Sequence, residues 1–434
     1  MNRRVHRSSS LDDATERLTV SNVNNDDPIR LWVGTWNIGF ADPFETQRKN
    51  HKIIENLIPY GYDIYVLGMQ EGVTERIYDA IGKYLNDSGQ YNRVPLTDNA
   101  VYGFGDGALT SKKYTGIAMF VKDTIRSRIS KINCTSCGFG MKSGSKGGVA
   151  CQICLDDHTT FAFVSCHLEA NNVDIRRKQV SLLDKNLCEG LRLRNSLSKS
   201  SSTRSVSYSK EMSFRLGPRR FSSGLITTNL TDSFDHVIWM GDLNYRITSL
   251  DPNGVLKMLN DGKIKELHEK HDSLIQDMRE CYVFPNFREA EKHPEFCPSY
   301  KKIRNRGEIN MNENSNWAKQ TYVTKYKIPL YKRVFRFRTK RYSMKAPGWT
   351  DRILLHSKRV DEDTLHTLVV EEKEWGKGGV RVQNYNVVNN GLGMDVSDHS
   401  PVYCTFSIQK IAKLDLAKNE NKGSASGHSR RTAS

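Results

Sequence analysis

Several apolar runs in this sequence end on residues able to hold a hard cation or move a proton. One closes on Trp36-Asn37, another on Gln70-Glu71-Gly72, and a third on Ser165-Cys166-His167-Leu168. A fourth runs into Gly241-Asp242-Leu243-Asn244-Tyr245-Arg246, and further along stand Thr350-Asp351-Arg352 and Ser397-Asp398-His399-Ser400. A magnesium ion takes oxygen ligands, and Glu71 with Asn37 supply them. Asp242 can polarise an attacking water that Asn244 orients. His399 can contact a phosphoryl oxygen or carry a proton, and a carboxylate such as Asp351 would fix its ring and tautomer. The chemistry these types suit is phosphate ester hydrolysis, slow enough uncatalysed to need water activation, charge neutralisation and leaving-group stabilisation together. Each residue alone has a plainer reading, because an Asn at a strand end or an Asp-His pair is usually a turn or a satisfied surface pair. Their joint order is the signal.

The elements that must position them alternate between strands and helices. Apolar runs predict strands at Leu31–Trp36, Ile64–Met69, Gly116–Val121, Val149–Leu155, Phe161–Cys166, Val237–Met240, Arg352–Leu355 and Val402–Ile408. Helical periodicity marks Thr46–Ile58, Val73–Leu85, Val173–Leu193 and Gly254–Asp277. Many strands with interspersed helices argue for a layered α/β domain, and ligand sites in such sheets gather beyond the strand ends. Residues 29–410 read as one domain, between a polar tail at 1–28 and another at 411–434. An interruption at 195–224 holds eleven Ser and six Lys or Arg against one acid, Glu211, so it reads as a surface insertion unable to bury a core.

Gly241-Asp242-Leu243-Asn244-Tyr245-Arg246, preceded by Trp239, resembles the first signature of the inositol polyphosphate 5-phosphatases. Ala346-Pro347-Gly348-Trp349-Thr350-Asp351-Arg352-Ile353-Leu354 resembles the second. Supporting matches in the same order are Gly34-Thr35-Trp36-Asn37, Gln70-Glu71, Gly144-Ser145-Lys146-Gly147-Gly148, His167-Leu168, Phe287-Arg288-Glu289, Pro298-Ser299-Tyr300-Lys301 and Ser397-Asp398-His399-Ser400-Pro401. The resemblance implies a four-layer α/β sandwich with two packed β-sheets flanked by helices, as in DNase I-like nucleases, and a Mg2+ site at one end of it. It implies Glu71 as the main metal carboxylate with Asn37 nearby, and Asp398 at the metal or the water. Asp242 and Asn244 would handle the water, His167 the scissile phosphate, and Asp351 with His399 would form an orienting pair. Tyr300, Lys301 and Lys345 match positions that read a neighbouring 4-phosphate, and Arg246, Arg352 and Lys146 complete the expected substrate contacts. The expected substrates are inositol phosphates or phosphoinositide headgroups, such as inositol 1,4,5-trisphosphate and phosphatidylinositol 4,5-bisphosphate. Four departures stand out: Lys345 replaces a frequent Arg and loses its bidentate fork, Ser343 replaces a frequent cation, Thr350 replaces the usual Cys, and Ser145 replaces the Asn common before Lys146-Gly147.

The totals agree with an anionic partner. The 434 residues carry 65 Lys or Arg against 49 acids, a formal charge of +16. A nuclease on the same fold would suit that charge too; the compact set Tyr300, Lys301 and Lys345 favours a multiply phosphorylated ring, so no nucleic acid is expected. Between Lys325 and Lys345 stand nine Lys or Arg and no acid, with Phe335, Phe337 and Thr339 alternating against Arg336, Arg338 and Lys340. That stripe reads either as a solvated edge strand or as a surface for anionic headgroups. No apolar run approaches the ~20 residues a spanning helix needs, so any contact with an anionic membrane would be peripheral. Nine Cys without a leader at the N-terminus suggest a reducing, cytoplasmic setting. The pairs Cys134/Cys137 and Cys151/Cys154 resemble half of a zinc-ribbon pattern, but residues three apart on a strand face opposite ways, which favours core cysteines.

Overall fold

A computed structural model of the chain describes residues 28–42, 50–87, 90–104, 112–140, 145–199, 229–307, 309–327, 342–358, 379–388 and 394–408. The tail expectations at both termini, most of the 195–224 insertion and the alternating stripe at 335–340 lie outside these residues. In chain order the strands are β1 (Ile29–Asn37), β2 (Ile64–Gly72), β3 (Tyr91–Arg93), β4 (Ala100–Phe104), β5 (Lys112–Lys122), β6 (Ile129–Gly138), β7 (Gly147–Leu155) and β8 (Thr159–His167). They continue as β9 (His236–Asp242), β10 (Arg288–Glu289), β11 (Lys325–Lys327), β12 (Tyr342–Met344), β13 (Asp351–Ser357), β14 (Val380–Val387) and β15 (Val402–Ile408). The helices are α1 (Asn50–Leu57), α2 (Arg76–Asp87), α3 (Val173–Lys199), α4 (Leu230–Ser233), α5 (Pro252–Asn260), α6 (Ile264–His271), α7 (Ser273–Arg279) and α8 (Trp317–Thr321).

Two mixed sheets stack face to face. One runs β14-β15-β1-β2-β5-β3 with β4 also on β5; the other runs β10-β13-β9-β8-β7-β6. Strand alternation divides their side chains among three apolar layers. Leu31, Val33, Val66, Ile117 and Met119 meet Val149, Cys151, Phe163, Ile238 and Ile353 between the sheets. The opposite face of the first sheet, with Trp32, Tyr65, Leu67 and Phe120, packs on Ile53, Ile54 and Leu57 of α1 and Ile77, Ile81 and Leu85 of α2. The opposite face of the second, with Val164, Val237, Trp239 and Leu354, packs on Val180, Leu183, Leu187 and Leu191 of α3. Each such Leu or Ile withdrawn from water contributes about 1.5–3 kcal/mol before chain entropy is counted. The result is the four-layer α/β sandwich expected.

Every strand expected from the sequence lies inside an observed one. The expectation of a single helix at Gly254–Asp277 is corrected to three. Gly262, at φ +70, breaks the chain after α5, and Asp272 caps α7 by accepting from the amides of Leu274 and Ile275. The expected start of the insertion at 195 is also corrected. Helix α3 extends to Lys199, and Asn195 Nδ2 donates to Gln152 while its Oδ1 accepts from Asn133.

The cysteine pairs do not converge. Cys134 sits opposite Cys151 in the β6–β7 ladder and both face the inter-sheet core, whereas Cys137 packs on the α3 side. All nine Cys are free, and eight are buried.

Candidate active site

Register brings the polar strand ends to one edge of the sandwich. β1 and β2 run parallel with Asn37 opposite Gln70, so Asn37 and Glu71 emerge together. β8 and β9 also run parallel, with His167 opposite Asp242. β13 is antiparallel to β9 with Asp351 opposite Asp242, and β7 begins opposite His167, which delivers Lys146. β15 pairs antiparallel with β1, placing the residues before Val402 at the same edge. Seven strands therefore share one rim.

Backbone geometry there is demanding. Gly241 has φ +145, and a Cβ would meet the Cys166 carbonyl oxygen at 2.1 Å, so the first signature needs glycine. Glu71 and Asn244 adopt left-handed φ values of 55° and 56°. Such conformations cost a non-glycine residue about 1–3 kcal/mol and collect at functional sites.

The centre is compact. One ligand atom each from Asp242, Asp351 and His399 lies within 4.8 Å of the others, all buried. Asp242 Oδ2 accepts from Asn37 Nδ2 at 2.8 Å, and its Oδ1 accepts from the Asn244 amide at 3.0 Å. Burial, then the charge of Asp351, pushes the Asp242 carboxyl up to about 6 against the pull of His399 and Lys146. His399 Nδ1 donates to Asp351 Oδ2 at 2.8 Å. Burial disfavours its cation, but Asp351 first and then Asp242 and Asp398 outweigh that and raise the imidazole to about 9. His167 is the opposite case, held well below the ordinary range by burial and then by Lys146 and Lys113. Its Nε2 stands 3.4 Å from both Asp242 Oδ2 and Lys146 Nζ. With the ring neutral, the Asp242 approach is a polar contact and not an ion pair. Lys146 also donates to the Leu168 carbonyl, as does Asn244 Nδ2.

Beside this centre lies a cationic basket on two aromatic rings. The Tyr300 ring lies against that of His399, tilted by 37° with centroids 4.4 Å apart. Arg246 stands 5.0 Å, Lys301 5.4 Å and Lys345 5.9 Å from the Tyr300 ring centroid. Lys301 and Lys345 also stand 5.3 and 5.5 Å from the ring of Tyr326. Arg246 in turn donates to Asn244 Oδ1 at 2.9 Å.

One expectation needs correction. Arg352 is not at the site: its side chain is fully buried, donating to Glu289 at 2.6 Å and to Asp272 at 3.0 Å. Neighbours on a strand face opposite ways, so Asp351 facing the site turns Arg352 away from it. Asp398 stands at the same rim, where Lys301 donates to one carboxylate oxygen at 2.6 Å and Arg304 to the other at 2.7 Å. His399, Lys301 and Arg304 hold it well below the usual carboxylate range despite its burial.

For a hard cation the donor set fits. Glu71 carboxylate and Asn37 carboxamide lie on adjacent strand ends, and Asn37 is already bonded to Asp242. Glu71 is now paired with Lys113 Nζ at 3.1 Å, so this carboxylate selects positive charge. Asp351 Oδ1 is buried without a partner. The sequence reading missed Lys113, Arg304, Tyr326 and Ser299. The first and second belong to no motif; their one signal is a Lys at a strand start opposite the Glu71 turn, and an Arg three residues after Lys301.

The family described as Endonuclease/Exonuclease/phosphatase family 2 matches residues 34–405. The chain is 24% identical over 417 residues to phosphatidylinositol 3,4,5-trisphosphate 5-phosphatase 2 of Mus musculus, covering 93% of this chain and 26% of that protein. It is 25% identical over 401 residues to phosphatidylinositol 3,4,5-trisphosphate 5-phosphatase 1 of Rattus norvegicus, covering 89% and 26%. The chain thus spans about a quarter of the length of the curated relatives it matches. Among solved structures it resembles the inositol polyphosphate 5-phosphatase domain of SPsynaptojanin, in complex with inositol (1,4)-bisphosphate and calcium, at TM-score 0.50 and 23% identity, covering 88% and 84% of the two chains. Cimex nitrophorin, solved as a ferrous NO complex, matches equally well in shape at TM-score 0.51 and 15% identity, covering 88% and 99%. Shape alone therefore selects no chemistry, and the site must do so.

Proposed function

The chain belongs to the endonuclease/exonuclease/phosphatase family 2, and we propose that within it the protein is a magnesium-dependent phosphomonoesterase removing the 5-phosphate of inositol phosphates or phosphoinositides. One observation carries this reading: three cations, Arg246, Lys301 and Lys345, surround the Tyr300 ring beside the buried Asp242, Asp351 and His399. A base and an imidazolium next to a compact cationic basket suit a small ring bearing more than one phosphate. A long polyanion would instead ask for an extended groove.

Glu71 and Asn37 would hold the magnesium ion, which supplies Lewis-acid neutralisation of phosphoryl charge when bound. This chain's residues do the rest. Asn37 and the Asn244 amide fix both oxygens of Asp242, which takes the proton of the attacking water. His399, cationic and committed to Asp351 through Nδ1, offers Nε2 to a phosphoryl oxygen. Neutral His167 and the Lys146 ammonium face the same space. Arg246 and Lys345 hold the neighbouring phosphates, so the 5-phosphate is the group presented to Asp242. A cytosolic setting, suited by nine free thiols, and the named relatives' substrate class belong to the same proposal.

Phosphate release from inositol 1,4,5-trisphosphate with Mg2+, measured beside nicking of plasmid DNA, tests the reading. Release without nicking is expected. Nicking without release would replace it with a nuclease.

The basket makes a second expectation. Lys345→Ala is expected to raise the KM of substrates carrying a 4-phosphate by about 10- to 150-fold, the value of a lost charged hydrogen bond of about 1.5–3 kcal/mol. Substrates lacking that group should change little. Equal losses for both kinds, in parallel steady-state assays, would remove Lys345 from 4-phosphate recognition.

A further inference from the structure

We infer that Ser299 and Thr350 are positioning residues whose hydroxyls grip Asp351 and thereby set the ring of His399. The inference rests on the proposed phosphatase reading for its kinetic consequence, but not for its geometry. Asp351 Oδ2 accepts three hydrogen bonds: from Ser299 Oγ at 2.7 Å, from Thr350 Oγ1 at 2.9 Å and from His399 Nδ1 at 2.8 Å. Ser299, Thr350 and Asp351 have no exposed surface at all. The second oxygen of Asp351 is buried without a partner. The carboxylate is therefore held through a single atom, and two of the three groups holding it are neutral hydroxyls.

Thr350 stands at the place of a usual Cys. The structure gives it a donor's job. A hydroxyl is a stronger hydrogen-bond donor than a thiol, and Thr350 Oγ1 also stands 3.4 Å from His399 Nδ1, so it braces both members of the pair. The backbones of the two residues tie the same point to the rest of the site. The Thr350 carbonyl accepts from the amide of Leu243, next to Asp242, and the Ser299 carbonyl accepts from the amide of Ser400, next to His399. The Ser299 hydroxyl in turn accepts from the Asp351 amide at 3.4 Å. Four chain segments, 241–244, 298–300, 349–351 and 398–400, thus meet at the two hydroxyls. Removing one leaves the Asp351 carboxylate free to rotate toward its unpartnered oxygen, and the His399 ring turns with it.

Thr350→Val keeps the shape and deletes the donor; Thr350→Ser keeps the donor and deletes the methyl; Ser299→Ala is an independent deletion. The test uses the full chain without added metal, labelled with 15N-histidine, and reads the His399 Nδ1–H resonance by NMR alongside steady-state kinetics in Mg2+. In wild type that proton is expected to be sharp and protected from exchange. Thr350→Val and Ser299→Ala are each expected to broaden or lose it and to lower kcat about 10- to 100-fold with KM within about twofold, as removal of an orienting partner does. Thr350→Ser should restore both. An unchanged resonance and kcat in Thr350→Val and Ser299→Ala would overturn the inference. So would a loss in Thr350→Val that Thr350→Ser fails to restore, because the methyl and not the hydroxyl would then be responsible. If wild type releases no phosphate, the functional reading fails while the resonance still decides the positioning role.

Discussion

Asp242→Asn is expected to lower kcat for phosphate release from inositol 1,4,5-trisphosphate by about 10³-fold, in the range a positioned general base contributes. It should also raise the melting temperature. Both expectations come from one fact, the near-complete burial of this carboxylate at 1% exposure. Burial lifts its pKa to about 6, above the 3.8 of an unfolded chain. A carboxyl with a raised folded pKa binds its proton more tightly in the native state. Its ionisation therefore erodes stability as pH rises from about 3.8 through 6, and above that the full cost stands. An amide carries no such cost; its one oxygen keeps the bond from the Asn244 amide, and its NH2 donates to Asn37 once that carboxamide turns to present its oxygen. The same charge that strains the fold is the base the chemistry needs. Colorimetric phosphate release and thermal unfolding at neutral pH check both arms. Turnover within tenfold of wild type would take Asp242 out of the proton transfer.

The rim of the sandwich was legible because its residues sit where strand periodicity ends. Asn37, Glu71, His167 and Asp242 each close an apolar run, and an apolar run of strand length is the clearest signal a chain offers. Strands without that contrast went unseen. β14 reads Val-Arg-Val-Gln-Asn-Tyr-Asn-Val and is half exposed at a sheet edge, so its composition resembles a loop. β6 carries Lys131, Asn133, Thr135 and Ser136 among its buried Cys, for the same reason. The break of one expected helix into α5, α6 and α7 depended on Asp272, whose capping role is local but whose second oxygen serves Arg352, eighty positions away. Contacts of that span leave no trace in spacing. Lys301 and Arg304 on Asp398, and Lys113 on Glu71, are likewise products of tertiary approach.

Arg352 shows how a motif can mislead and how a strand rule could have prevented it. The position follows Asp351 directly, so within β13 it must face the other side of the sheet. There its guanidinium meets Glu289 and Asp272, with His268 Nε2 3.1 Å away and also 3.0 Å from Glu289, its ring edge-on to Trp349. Arg352→Met is expected to destabilise the fold by about 3–5 kcal/mol, because two buried carboxylates lose their counter-charge. The pH dependence follows from Glu289. Burial alone would raise its pKa, but Arg352 and then His268 overcome this and hold it at about 2. Its folded pKa thus lies below the unfolded 4.5, so its stabilisation is complete above about pH 4.5 and drains as pH falls toward 2. In Arg352→Met that drain should vanish, since Glu289 then gains stability by binding a proton. Urea unfolding at several pH values across this window reads both effects, and Arg352→Met combined with Glu289→Gln should recover part of the loss. The KM of the folded variant separates this account from a substrate role. An Arg that stabilises the sheet leaves KM near wild type, whereas one that grips a phosphate raises it even where the fold survives.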